Sequence, residues 1–150
     1  MERDKQFRKQ LKDLFATQSL ASLSTQKEGQ PYANLVAFYA SDDVEHLFFV
    51  TPKTTRKFAN LSANNRVALM INNSANETHD FHEAIAVTAV GTAGEITGME
   101  KAQVLKHYLA KHPYLEDFAR APTCALVAVR VQSYILVRNF QNVSELHITS

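Results

Sequence analysis

The sequence predicts a mainly β domain, an antiparallel barrel that is closed or nearly closed and carries a few peripheral helices. Three observations lead there. Seven runs of apolar or alternating residues read as strands, and the early ones are separated by hairpin-length turns. The helical stretches do not alternate regularly with them, which argues against a doubly wound parallel sheet and for a barrel. With 150 residues the chain has the length of one domain, taken as residues 1–150.

Residues 3–17 predict an amphipathic helix, because Phe7, Leu11, Leu14 and Phe15 recur at i, i+4, i+7 and i+8. From Leu20 the period changes to that of a strand, LASLST, followed by the turn residues Lys27-Glu28-Gly29-Gln30 and a longer strand, YANLVAFYA, opened by Pro31. Ser41-Asp42-Asp43 turns the chain into HLFFVT. Phe58 and Leu61 then mark a short helix with Thr54 or Thr55 as N-cap and Asn64-Asn65 as C-cap. RVALMIN reads as a largely buried strand and residues 72–83 as a polar loop. AIAVTAVGTAGEI reads as a long strand whose Gly91 and Gly94 suggest bulges or close backbone approach. Thr97 and Glu100 have capping-box spacing ahead of a helix through Val104, Leu105, Tyr108 and Leu109 that Pro113 ends. One further turn over YLEDFAR, the two strands ALVAVRV and SYILVRNF, and a polar tail complete the expectation.

Composition narrows the function classes. A net charge of +1 supplies no global field for nucleic acid or an anionic membrane surface, so neither is an expected partner. No run reaches the length of a membrane span, and MERDKQFRKQLKDLF has no apolar core of a secretory signal. The single cysteine, Cys124, allows no intramolecular disulfide and no cysteine zinc cluster, and its apolar neighbours read as core. A reducing, cytoplasmic setting is the expectation.

The most informative stretch is LFFVTPKTTRKFANL, residues 47–61. It places Arg56 and Lys57 in the first turn of a helix, where the macrodipole disfavours each cation by about 0.3–1 kcal/mol. A bound anion reverses that sign. Free N–H groups, a threonine hydroxyl, a guanidinium and an ammonium would then converge on one charge, as at a phosphate site. Solvated surface cations are the plainer reading of the same residues.

The succession Gly29-Gln30-Pro31-Tyr32, strand, turn, LFFVT, Thr55-Arg56-Lys57, Asn60-Leu61 and Asn64-Asn65-Arg66-Val67-Ala68-Leu69 resembles the pyridoxamine 5'-phosphate oxidase-like superfamily, the FMN-binding split barrels. The likeness is clearest over residues 20–72, and ALVAVRV and SYILVRNF are similar to the closing strands of its shorter members. The resemblance implies a split barrel in which Thr55, Arg56 and Lys57 hold the FMN phosphate. It further implies that Leu35, Val36, Ala37 and Phe38 line the edge of the ring through backbone groups, with Val50 and Thr51 beside it. It implies a homodimer with flavin in a groove between subunits, and a small-molecule electron donor or acceptor. A deazaflavin could use the same turn. Three departures separate this chain from the best-known members: Asn34 stands where they place an arginine, Ala86 where they place a glutamine, and Arg138-Asn139-Phe140 is all that corresponds to their arginine-rich terminus. Vitamin B6 oxidation is therefore not expected, while the flavin is.

FMN chemistry needs no protein nucleophile, so the lack of a triad or carboxylate pair leaves both an FMN-dependent oxidoreductase and a flavin carrier open, with the catalytic residues and substrate unnamed. His79 and His82, near Glu77, Asp80 and Glu83, have metal-ligand types but lack a clear third ligand, and no metal site is expected. The same loop is the one sequence hint of a haem-binding relative. His107 and His112, with Lys106 and Lys111, read as a solvated basic face. Tyr108 and Tyr114 read as packing residues. Phe38, Phe48 and Phe49 read as core or groove wall, with Phe48 and Phe49 on opposite faces.

Overall fold

A computed structural model describes residues 2–148. Helix α1 (Glu2–Thr17) leads into β1 (Leu20–Lys27), β2 (Gln30–Ala40) and β3 (His46–Pro52). Then come α2 (Arg56–Ala63), β4 (Arg66–Asn72), the short α3 (Asp80–Glu83), β5 (Ile85–Ile96) and α4 (Gly98–Lys111). A 3-10 turn (Pro113–Leu115), α5 (Glu116–Arg120), β6 (Cys124–Arg138) and β7 (Asn142–His147) finish the chain. The strands run β3-β2-β1-β4-β5-β6, and β3 pairs back onto β6, so six antiparallel strands close into a barrel to which β7 is appended.

Period-2 alternation sorts the side chains to two faces. Leu23, Phe38, Leu47, Phe49, Leu69, Val87, Val127 and Tyr134 point inward and are essentially fully buried. The apolar stripe of α1 joins them, with Phe15 edge-on to Phe38 at 5.6 Å. The outward residues Phe48, Val50 and Leu126 form a second core under Leu105, Tyr108 and Leu109 of α4 and Ala119 of α5. Phe48 and Phe49 do take opposite faces. Each such side chain contributes about 1.5–3 kcal/mol when fully buried. Cys124 is buried in the second core.

The expected strand count is met by different strands. ALVAVRV and SYILVR belong to one fifteen-residue strand, β6, with Asn139 and Phe140 in the turn that follows, and the polar tail supplies the seventh, β7. Gln132, polar between two apolar runs, looks like a turn but is an extra residue. Val90 pairs with Ser133 and Gly91 with Val131, so the strand carries a bulge rather than a break. Gly91 lies against this bulge; a Cβ there would sit 2.2 Å from the Arg130 carbonyl oxygen, whereas one at Gly94 would meet nothing within 4 Å. Only the first of the two glycines is thus a close approach.

Other expectations need correction. Strand β4 is half-buried rather than largely buried, with Val67, Leu69 and Ile71 inward and Met70 exposed. The polar loop contains α3, organised by Asp80, whose carboxylate accepts the N–H groups of Ala75 and Glu77 and is held below the usual range by those bonds. Thr97 is the N-cap of α4, but its side chain makes no capping bond, so the capping box does not form. No helix among the described residues is long and apolar enough to cross a membrane.

Candidate functional site

The barrel wall is incomplete at one seam. Strand β2 pairs with β3 only over Phe38, Tyr39 and Ala40, opposite Phe49, Phe48 and Leu47. Below that the strands part: β1 holds β2 down to Gln30, and β6 holds β3 down to Pro52. The Phe38 N–H donates to Ser19 on the β1 side, and the Ser41 N–H donates to His46 of β3. In an antiparallel strand, N–H and C=O of one residue point the same way and alternate from residue to residue. The backbone groups of Ala33, Leu35 and Ala37 therefore face the gap. At its upper end the Tyr108 phenol of α4 donates to the Ala37 carbonyl at 3.0 Å.

Helix α2 starts at the lower end. Pro52 and the turn behind it stop β3, and Thr55 is the N-cap, its Oγ accepting from the Phe58 N–H at 3.3 Å. The same hydroxyl lies 3.0 Å from the Pro52 carbonyl oxygen, to which it donates, and 2.8 Å from the Thr51 hydroxyl. Thr55 therefore builds the turn, and the exposed hydroxyl is that of Thr54. The N–H groups of Arg56 and Lys57 stay without an intrahelical acceptor. Asn60, one turn on, donates to Thr25 of β1 at 3.0 Å in a buried contact that fixes the helix to the barrel.

An open cleft of about 870 Å³ lies here, lined by Glu28, Tyr32, Thr54, Thr55, Arg56 and Asn60 among others. The Arg56 guanidinium sits 5.3 Å from the centre of the Tyr32 ring, a cation–π contact that pre-places it in the cleft. Lys57 is half-buried, and burial lowers its ammonium below the usual lysine value. Among the described residues neither cation pairs with a carboxylate, whereas nearby Lys53 pairs with Glu95 at 3.5 Å.

The expected site residues divide by face. Leu35 is exposed and outward, and Ala37 is outward beneath Tyr108. Val36, Phe38 and Thr51 have buried side chains, and their backbone groups turn away from the gap: Val36 pairs with Ala21, the Phe38 N–H donates to Ser19, and Thr51 pairs with Ala125, so the backbone contacts expected of these three are not open. Val50 packs under α4. Thr55 and Arg56 line the cleft and Lys57 follows on the next residue. Asn34 points inward, its Oδ1 buried with no partner. Ala86, on the outer face of β5, offers no polar group opposite Val137.

Sequence reasoning missed Tyr32 as a platform for Arg56, Thr54 as the freer hydroxyl and Tyr108 as a backbone clamp. Helical spacing marked Tyr108 as buried but carried no sign of its bond. The basic face expected around α4 is met only in part: Lys106 and His107 are exposed, whereas Lys111 and His112 turn inward. His112 is buried and its Nε2 donates to the Phe38 carbonyl at 2.7 Å; burial, with Lys111 beside it, keeps its pKa below the ordinary value. Lys111 donates to the Phe15 carbonyl at 3.0 Å and lies 3.8 Å from the Phe38 ring centre, and burial brings it down to about 8. His107 stacks on Tyr39 at 6.0 Å. Tyr114, expected to pack, is 98% exposed. His79 pairs with Glu77 at 3.1 Å and approaches Asp80 at 3.6 Å, and no cluster of three metal-ligating side chains occurs among the described residues.

Comparison with known proteins agrees with this architecture. The family model described as pyridoxamine 5'-phosphate oxidase matches residues 7–138. No curated protein sequence matches the chain. Among solved structures, a heme binding protein from Mycobacterium smegmatis is similar at a TM-score of 0.83 and 18% identity, over 93% of this chain and 57% of that one. A FAD-binding protein from Mesorhizobium loti is similar at 0.67 and 18% identity, over 91% and 89% of the two chains. HutZ, the heme storage protein from Vibrio cholerae, is similar at 0.73 and 15% identity, over 91% and 92%. This chain thus spans little more than half of the Mycobacterium protein, and at these identities the likeness is one of fold.

Proposed function

This chain belongs to the pyridoxamine 5'-phosphate oxidase family, and on that premise we propose that it is a small flavoprotein holding FMN in the split between β2 and β3. The observation that carries the reading is the pair of cations, Arg56 and Lys57, which have no carboxylate partner among the described residues, at a helix start beside a gap edged by backbone groups of Ala33 and Leu35 that pair with no strand. The phosphate belongs at the first turn of α2, with Arg56, Lys57, their N–H groups and the Thr54 hydroxyl as donors. Backbone groups of Ala33, Leu35 and Ala37 are placed to edge a flat ring. Asn34 is shorter than an arginine and uncharged, so Arg56 and Lys57 carry the phosphate charge between them. Bound flavin supplies hydride or electron transfer; the protein positions it and limits access.

A homodimer fits the same reading. Leu35, Met70, Phe140 and Val143 are large apolar residues left exposed, and Leu35, Ser22, Met70 and Thr88 sit side by side on the face that no helix covers. A second copy would bury that face and complete the groove. An oxidoreductase working with a small-molecule donor or acceptor is preferred over a passive carrier, and a cytoplasmic location suits a lone buried thiol.

Riboflavin, which lacks the phosphate, tests the assignment: FMN should bind at least tenfold more tightly, and equal affinity would refute the phosphate turn. Anaerobic reduction by NADH or NADPH with turnover distinguishes enzyme from carrier. Haem binding is the second reading, favoured by a cleft of about 570 Å³ whose lining includes Met70, Phe81, Ala84, Ala86 and Phe140 together with Glu77 and Asp80, with His79 and His82 adjacent in sequence but outside the lining, and by the two heme proteins of this fold. A Soret band on haem addition that His82→Ala abolishes would support it, and no band would dismiss it.

A further inference from the structure

A second interruption lies on the opposite edge of β3. Strand β6 changes partner there, pairing with β3 up to Arg130 and with β7 from Ser133. The Val131 N–H donates to Glu45 at 3.0 Å and the Ile148 N–H to Gln132 at 2.9 Å, which pins the two strand ends apart. Between them is a notch of about 520 Å³ lined by Glu45, His46, Thr92, Arg130 and Gln132 among others. Its shape is specified by sequence: Gln132 is the bulged residue, and Gly91 alone permits the Arg130 carbonyl to come so near.

Two arginines, a hydroxyl and an imidazole around it form a row. Arg66 pairs with Thr92, Thr92 with Arg130, and Arg130 with His46, across β4, β5, β6 and β3. Val67, Val129 and Leu47 are inward, so all four row residues lie on the outer face. The two arginine backbones are two strand spacings apart, about 10 Å, and flank one hydroxyl. Among the described residues, neither arginine nor His46 pairs with a carboxylate. The acid of the notch, Glu45, is engaged by Arg8 at 3.3 Å. Like charges placed together without a counter-charge repel, and guanidinium forks match tetrahedral oxyanions.

We propose that this row is a binding site for a phosphate-type oxyanion, with Arg130, Thr92 and His46 on the notch side and Arg66 opposite. Two forks and a hydroxyl offer more donors than one carboxylate can accept, which favours a phosphate or diphosphate group. The site lies on the β4–β5–β6–β3 surface and does not involve the α2 turn, so it is independent of the flavin assignment.

The probe is inorganic pyrophosphate, titrated into the 150-residue chain carrying Arg56→Ala and Lys57→Ala so that the α2 turn cannot contribute. Side-chain Nε resonances of Arg66 and Arg130 should shift together and saturate in the low millimolar range or below. Arg130→Gln should weaken binding at least tenfold, and Arg130→Lys less, because the charge remains while the fork is lost. Arg66→Gln provides a second variant on the other side of Thr92. Unshifted arginine resonances, or an unchanged affinity in both glutamine variants that remain folded, would overturn the proposal.

Discussion

Within eleven residues β2 passes through two environments. From Phe38 to Ala40 it is sewn to β3, with Phe38 in the barrel core and Tyr39 stacked on Phe48 beneath α4. From Ala33 to Ala37 it keeps β1 and has no strand on its other side. Residue type does not separate the halves, since Leu-Val-Ala and Phe-Tyr-Ala are both ordinary strand sequence. The partner does: β3 continues down β6 to Pro52 and leaves β2 behind. The sewn half contributes stability, and the open half leaves backbone donors and acceptors for a ligand, with two cations at its foot.

Variants should separate the halves by what they change. In the sewn half, Phe49→Ala leaves a cavity at a fully buried site and should cost about 3–5 kcal/mol in denaturant unfolding. A loss below about 1 kcal/mol would mean the seam is not part of the cooperative core. Gly91→Ala, in the closed wall by β6, should cost about 1–3 kcal/mol, because its methyl group collides with the Arg130 carbonyl. In the open half, Arg56→Ala should weaken FMN binding by about 1–3 kcal/mol while leaving the thermal midpoint of the apoprotein nearly unchanged. A large drop in that midpoint would assign Arg56 to the fold instead.

Tyr108 joins the two halves, and its removal should be milder. Tyr108→Phe deletes the bond to the Ala37 carbonyl and should cost about 0.5–1.5 kcal/mol at neutral pH. It should also change the alkaline limb. Burial raises the Tyr108 phenol from 10.0 to about 12, so the unfolded chain loses this proton first. The folded state then binds more protons between pH 10 and 12, and stability falls as pH rises through that window. Tyr108→Phe should flatten part of that fall in unfolding curves recorded from pH 9 to 12; an unchanged slope would place the phenol in solvent.

What could be read beforehand follows from range. Local periodicity revealed α1, the first four strands and a cap at Thr54 or Thr55, which the structure resolves to Thr55, because each depends on neighbours within a few residues. The β6 bulge was hidden because Gln132 in an otherwise apolar run looks the same whether the chain turns or merely gains a residue; the register of β5 decides between them. Strand β7 was hidden because its residues are largely exposed and pair only on one edge of β6. At the site, the cations were legible, since charges at a helix start conflict with its dipole. The split was not, because it arises where two distant strands stop pairing. Lys111 and His112 misled for a related reason: polar side chains in sequence resemble solvent-facing ones until a carbonyl such as that of Phe15 or Phe38 is placed against them.

The central claim is that the open half of β2, with the α2 turn, holds a phosphorylated flavin. Its most direct test is the mass and absorbance of the ligand released from native protein, compared with the Arg56→Ala/Lys57→Ala variant. The account predicts FMN from the wild type and an almost flavin-free but folded variant; full flavin occupancy in the variant, or a ligand without phosphate in the wild type, would contradict it.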